Sequence, residues 1–342
     1  MPGRKKEWIS LPLRRAGRRT NTALLILLAG AFLSGWLAFA AATPQRSTLA
    51  TVGHGLLGLG VVVLVPWKSV IIRRARLIWI ASLSLVAVII LCLLAGLTQV
   101  FVGYRVFAGV SPLQVHVGAA IVAVPLLLWH VLRHRTHRPL RRVDLSRRNL
   151  VRTGAFALGI GAGYAALEGI GSLAGLPSAH RSSTGSHRLD PLTRPPTIWL
   201  FDRVPKLDGA HPVEVDGVAW TPGELSSRSQ IVPARLDCTG GWFVDATWNA
   251  VPVSELIPPD RLMSASSLVV TSVTGYRRRF DPRDAGGLWL ATGCEGRRLT
   301  PGTGAPVRLV ASNRRGFWWV KWVASVDLSD QPAVAQPPFP LQ

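Results

Sequence analysis

The chain has 342 residues, 48% of them hydrophobic, with a mean hydropathy of +0.29 and a formal net charge of +21. It is too long for one small domain and too apolar for an ordinary soluble enzyme. Residues 1–176 hold 21 Lys and Arg against three acids (Glu7, Asp144, Glu168), while residues 177–342 hold 18 against 15, so the charge divides as +18 and +3; the excess sits in blocks between apolar runs, which argues against nucleic acid as a partner.

A basic segment, residues 1–20, opens the chain. Apolar runs near 21–42, 50–67, 77–100, 112–132 and 154–176 follow, each reaching the roughly 20 residues that a helix needs to cross the hydrocarbon core. The basic blocks lie at 4–19, 68–76 and 133–152, whereas the alternate loops near 43–50 and 101–111 carry only Arg46 and Arg105. This positive-inside pattern predicts a cytoplasmic N-terminus, and five crossings leave the C-terminal half on the extracytoplasmic side of the cell membrane. The first run has no clear small-residue cleavage site at its end and further spans follow, so it reads as a span rather than a cleaved signal peptide.

Three histidines fall inside these spans. An imidazole in lipid is costly and needs a partner. The second and fourth spans both run inward from the outer face, with His54 and His116 a few residues into each, so parallel helices place the two at matched depth. Two such imidazoles are what a six-coordinate haem b requires, and Gly55, Gly58 and Gly118 give a porphyrin room. The other reading is that each ring hydrogen-bonds to a backbone carbonyl between helices. His130 lies fourteen positions beyond His116, but Lys68 occupies the matching depth on the second span, so His130 with His134 and His137 reads as part of a basic inner rim. Residues 21–132 are thus expected to form a four-helix, cytochrome b-like membrane domain, with Cys92 a small buried hydrophobe.

Residues 133–176 combine a basic loop with the fifth span. Between them Ser146-Arg147-Arg148-Asn149-Leu150-Val151-Arg152 resembles a twin-arginine export motif in an unusual internal position; it also reads simply as an extension of the basic loop. Residues 177–196, with Ser182-Ser183-Thr184-Gly185-Ser186 and Pro191, Pro195 and Pro196, read as a polar, stiffening tether. From 197 to 330, β-branched and aromatic runs such as Leu268-Val269-Val270-Thr271 alternate with Gly and Pro turns, predicting a β-rich α+β domain before a Pro-rich tail, 331–342.

Within that domain, Leu236-Asp237-Cys238-Thr239-Gly240-Gly241-Trp242, followed by Trp248 and Val253-Ser254-Glu255-Leu256-Ile257, resembles the molybdenum-ligand segment of the sulfite oxidase family of molybdopterin enzymes. A polarisable thiolate suits a high-valent metal, and the neighbouring glycines let a large planar cofactor approach the backbone. Further on, Gly304-Ala305-Pro306-Val307-Arg308-Leu309-Val310 and Gly316-Phe317-Trp318-Trp319-Val320-Lys321-Trp322 resemble the family's pterin-phosphate clasp. The resemblance spans roughly residues 210–330 and implies that a sulfite oxidase-like domain follows the predicted bundle of five transmembrane helices. It further implies a molybdenum cofactor with Cys238 as ligand, and a phosphate grip from Arg308, Lys321 and the backbone at Trp319 and Val320. A guanidinium fork and an ammonium suit a phosphate on their own terms. Where the family usually has His or Asn, this chain has Thr303, which still donates one hydrogen bond.

The expected activity is oxygen-atom transfer on a small sulfur-containing substrate, sulfite oxidised or a sulfoxide such as methionine sulfoxide reduced, with electrons exchanged through the membrane haem and a quinone or a carrier protein as redox partner. Export of a folded domain fits, since the family's cofactor is inserted in the cytoplasm. Other readings stay open. Cys238 and Cys294 are able to form a disulfide in an oxidising compartment. Arg277-Arg278-Arg279 either steers an anionic substrate or is a solvated strand edge. Tyr276 stands beside that run, but the family's catalytic tyrosine finds no match here. Thr303 and that missing tyrosine also suit a non-catalytic binding or assembly module.

Overall fold

The computed structural model describes residues 18–40, 44–74, 80–133, 146–193 and 203–337. The N-terminal basic segment up to residue 17, His134 and His137, Pro195 and Pro196 of the tether, and residues 338–342 lie outside the described residues, as do the side chains of the basic block 68–76. The chain divides into two compact units, Met1–Ala38 with Leu49–Ala179 and Phe39–Thr48 with His180–Gln342.

Helices α1 (Arg18–Ala40), α2 (Pro44–Arg74), α3 (Ile80–Phe101), α4 (Pro112–Arg133) and α5 (Arg147–Leu173) are each long and apolar enough to cross a membrane. Between α3 and α4, Phe107 and Val110 exchange backbone hydrogen bonds across Ala108 and Gly109, both at positive φ, a tight reversal of the primed type. Ser111 then caps α4. Its hydroxyl accepts from Gln114 N–H at 3.3 Å, its own N–H donates to Gln114 Oε1 at 2.8 Å, and Pro112 sits where a missing N–H costs nothing. Helix α5 starts seven residues before the predicted apolar run, because Arg147, Arg148 and Arg152 are good helix formers and carry it back to Ser146. It ends where Gly175 takes φ +63°, with Gly175 N–H donating to Ser172 O and Leu176 N–H to Gly171 O.

The second unit holds eleven described strands: β1 (His187–Arg188), β2 (Val213–Val215), β3 (Val218–Trp220), β4 (Gln230–Cys238), β5 (Trp242–Pro252), β6 (Ser267–Ser272), β7 (Arg277–Phe280), β8 (Leu288–Cys294), β9 (Arg297–Arg298), β10 (Arg308–Ala311) and β11 (Val323–Ser329). They form two sheets. One runs β1-β5-β8-β10, with β4 also on β5 and β9 on β8; the other runs β3-β2-β11-β6-β7. On β5 the period-2 pattern buries Val244, Ala246, Trp248 and Ala250 and turns Asp245, Thr247 and Asn249 outward. The short helices α6 (Pro222–Arg228) and α7 (Pro259–Ser264) complete the β-rich α+β domain. The stretch 182–188, which reads in sequence as tether, belongs to this unit, and β1 pairs in parallel with β5 at Trp242 and Phe243.

Candidate functional site

Cys238 ends β4 and is 5% exposed. The β4–β5 reversal is a three-residue loop, Thr239-Gly240-Gly241, closed by Gly241 N–H to Cys238 O at 3.2 Å; Gly241 takes φ +91°, which requires a glycine there. The Cys238 Sγ accepts the Gly240 N–H at 3.3 Å. A methyl group on Gly240 would stand 3.5 Å from that sulfur, so the glycine keeps one side of the thiol clear.

None of the three cysteines is joined in a disulfide. Cys238 is registered with Trp242 and Cys294 with Trp248, six residues on along β5 and on its opposite edge. At about 3.3 Å per residue that is roughly 20 Å of strand, far beyond the roughly 7 Å Cα separation a disulfide tolerates. The disulfide reading of Cys238 and Cys294 is therefore overturned.

The second motif is assembled around one glycine. Gly304 lies at φ +108°, and a Cβ there would stand 3.0 Å from Arg308 Cβ and 3.2 Å from Lys321 Cβ. The two cations are thus neighbours across a gap that only glycine leaves open. Arg308 Nη1 donates to Thr303 O at 3.0 Å and Lys321 Nζ to Gly302 O at 3.1 Å, so one turn orients both. Arg308 is 2% exposed on a fully buried strand, its guanidinium 5.1 Å from the Trp248 ring centre and 5.6 Å from that of Trp319. Such a charge is costly to bury, and the aromatic faces offset part of that cost.

Residues 316–319 connect the thiol to the cations. Gly316 lies so close to the β4 end that a Cβ would meet Asp237 O at 2.9 Å and Cys238 Cα at 3.1 Å. Three residues later the Trp319 ring lies against Trp248, centroids 5.4 Å apart, in contact with Arg308. Trp319 N–H donates to Gly316 O at 3.1 Å, and Val320 O accepts Leu309 N–H at 2.7 Å. The Thr303 hydroxyl is engaged locally: it donates to Thr300 O at 3.0 Å and accepts from Thr300 N–H at 2.9 Å. What Thr303 offers the neighbouring cation is its carbonyl.

Sequence reading missed the polar support behind Cys238. The Asp237 carboxylate, 9% exposed, pairs with Arg315 Nη1 at 3.2 Å and accepts from Thr184 and Ser186 hydroxyls. In the Arg277-Arg278-Arg279 run, Arg277 is exposed on the edge strand β7, as the strand-edge reading has it, whereas the other two differ from both readings. Arg278 is 2% exposed, donates to Tyr276 Oη and Pro337 O, and lies against Phe317 and Trp318; Arg279 binds Ser267, Ser329 and Gln331. Both fasten the C-terminal tail to β7 instead of facing solvent as a patch. Tyr276 Oη donates to Phe317 O, inside the 316–319 segment.

In the helical unit, the rings of His54 and His116 face each other with centroids 5.6 Å apart and planes at 90°. His54 Nδ1 lies 2.8 Å from Ala31 O and His116 Nδ1 2.7 Å from Cys92 O. A carbonyl only accepts, so each Nδ1 is the donor, and Nε2 is the acceptor nitrogen of the neutral ring. Gly35 and Gly96 make room: a Cβ on either would stand about 3 Å from the nearer ring, at 3.0 Å from His54 and 2.9 Å from His116. Cys92, read as an inert hydrophobe, supplies the carbonyl that anchors His116. Among the described residues no group of three or more His, Cys, Asp or Glu gathers around one point.

With this geometry in hand, residues 204–336 match the family model of the oxidoreductase molybdopterin binding domain. The solved structure of the sulfane dehydrogenase SoxCD from Paracoccus pantotrophus is similar at 21% identity and a TM-score of 0.34, over 39% of this chain and 41% of that one. The chain thus spans about two-fifths of the length of that solved chain. It matches none of the curated proteins.

Proposed function

We propose that this protein, whose residues 204–336 match the family model of the oxidoreductase molybdopterin binding domain, is a membrane-bound molybdopterin oxidoreductase that transfers an oxygen atom at a small sulfur centre such as sulfite and exchanges electrons through a haem b. The observation that carries the reading is the unbridged Cys238 thiol, cleared by Gly240 and linked through residues 316–319 to the Arg308 and Lys321 pair. The donor set fits the group: a soft thiolate for the metal, a guanidinium and an ammonium for a phosphate. The chemistry a molybdenum cofactor supplies when bound is two-electron oxygen-atom exchange with one-electron return to a second centre.

The chain's own residues bind and orient. Cys238 would hold the metal, its sulfur oriented by the Gly240 N–H that it accepts. Arg308 and Lys321 hold the cofactor's phosphate, with their heads set by the carbonyls of Thr303 and Gly302. The buried Trp248 and Trp319 rings exclude water around Arg308, which strengthens its attraction for an anion. His54 and His116 would hold the haem iron, their Nδ1–H bonds to backbone carbonyls being the kind that orient such ligands. A quinone or a carrier protein would be the redox partner.

The positive-inside distribution supports an extracytoplasmic catalytic domain, and Arg147 and Arg148, exposed at the start of α5, support twin-arginine export of the folded domain. The test is metal analysis of the purified full-length protein together with haem spectra on adding sulfite, or a sulfoxide to the reduced protein. Stoichiometric molybdenum and a haem band that responds to one of the two substrates is the expected result. Absence of both metals would instead favour the non-catalytic module, as would a haem that neither substrate affects.

A further inference from the structure

The acid next to Cys238 is held by more donors than charge balance requires. Asp237 is paired with Arg315, itself 6% exposed, and that pair alone neutralises the carboxylate. Yet Ser186 Oγ at 2.7 Å, Thr184 Oγ1 at 2.5 Å and Ser182 Oγ at 3.3 Å also converge on its oxygens. These hydroxyls come from a small closed loop: Ser182 N–H donates to Ser186 O and Gly185 N–H to Ser182 O, both at 2.9 Å, with Gly185 at φ +80°. The next residues continue the grip, His187 N–H to Gly241 O at 3.0 Å and Leu189 N–H to Phe243 O at 2.8 Å. One short segment therefore holds the Cys238 loop at Asp237, Gly241 and Phe243.

Such bracing has a physical reason. A reversal built on Gly240 and Gly241 is loose in isolation, since glycine restricts the backbone least. A thiolate that bonds a metal needs a fixed position, which neighbouring residues must impose. The opposite flank is fixed by Arg315 and Gly316, through the backbone bridge between Asp237 and Arg315 and the close approach of Gly316 to Cys238. The flank formed by residues 182–189 lies outside the family-matched segment, 204–336, and follows closely on α5 in sequence.

We propose that residues 182–189 are a positioning element for Cys238, so that the metal-ligand loop is completed by the segment joining the last apolar helix to the catalytic domain. The proposal rests on the reading of Cys238 as the metal ligand, but its test needs no bound cofactor. Full-length protein is made without molybdopterin synthesis, and the alkylation rates of Cys238 and Cys294 by iodoacetamide are followed by mass spectrometry. Cys294, buried at the end of β8 opposite Trp248, is the internal reference.

In Thr184→Val/Ser186→Ala the Cys238 rate should rise about tenfold or more relative to Cys294, a factor that corresponds to about 1.4 kcal/mol. Thr184→Ser, which keeps the hydroxyl, should stay within about twofold of the wild type. An unchanged Cys238 to Cys294 ratio in the double variant overturns the proposal. Should both thiols speed up together because the domain unfolds, the single change Ser186→Ala decides: it removes one hydroxyl donor and leaves the Asp237–Arg315 pair in place, and a rise at Cys238 alone sustains the proposal whereas no selective rise overturns it. Failure of the cofactor reading is seen separately, as wild-type protein made with intact molybdopterin synthesis that carries no molybdenum.

Discussion

Gly316→Ala probes the junction on which the catalytic domain's geometry depends. The new methyl would stand 2.9 Å from Asp237 O, 3.1 Å from Cys238 Cα and 3.4 Å from Leu236 Cδ1. Two of these neighbours are backbone of a paired strand and yield little. Carbon contacts settle at about 3.5–4.0 Å, so the 316–319 segment must back away by about half an ångström. Overpacking of this kind costs about 1–3 kcal/mol. Alanine's smaller unfolded-state entropy returns about 0.4–1 kcal/mol. The net loss of about 1–2 kcal/mol corresponds to a melting-point drop of about 2–8 °C in a domain of this size. Thermal unfolding followed by the fluorescence of the buried Trp242, Trp248 and Trp319 reads it. Gly240→Ala is the counterpart: its methyl meets Cys238 Sγ and Trp242 Nε1 only at ordinary contact, 3.5 Å each, so the melting point should hold while molybdenum loading falls. A Gly316→Ala protein that matches wild type in both melting point and molybdenum content would refute the junction.

Arg308→Leu should weaken cofactor retention by about 10–100-fold, the loss expected when charge-assisted hydrogen bonds to a phosphate are removed, and Lys321→Met should do less because Lys321 is only half-buried; molybdenum retained after gel filtration measures both. His54→Ala should abolish the Soret band of a bis-histidine haem in the purified protein, and a retained band would remove the haem assignment. Asp281 gives a pH prediction: its hydrogen bonds from Arg283 hold the carboxyl down to about 2, from an unperturbed 3.8. A depressed carboxyl stabilises the fold above its unfolded value and loses that contribution as pH falls through the folded one. Asp281→Asn should therefore be slightly less stable than wild type at neutral pH, by less than about 1 kcal/mol because the pair is solvent-screened, and indistinguishable from it near pH 2. Chemical denaturation at a series of pH values follows the difference.

How far the chain was legible depended on how local each signal is. Long apolar runs announce helices by length alone, yet the start of α5 was missed because arginines extend a helix as readily as they end an apolar run. Depth along two helices running in the same direction was enough to bring His54 and His116 together, since helical rise is fixed. Cys238, Arg308 and Lys321 stand out through motifs, but the place of Gly304 between the two cations needs coordinates, because it is a statement about empty space. Residues 182–186 were read as tether for a good reason: hydroxyl-rich, glycine-containing composition marks a linker, and their acceptor, Asp237, lies more than fifty positions away. Arg278 and Arg279 were misread similarly, as their partners sit in the C-terminal tail. The hydroxyl of Thr303 looked available to a ligand until its bonds to Thr300 were seen.

Bonding of Cys238 to molybdenum is tested most directly by X-ray absorption at the molybdenum edge, comparing wild-type protein with Cys238→Ser. The expected result is one sulfur neighbour fewer around the metal in the variant, with the remaining sulfurs unchanged. An identical sulfur shell in both proteins, or a wild-type protein devoid of molybdenum, would contradict it.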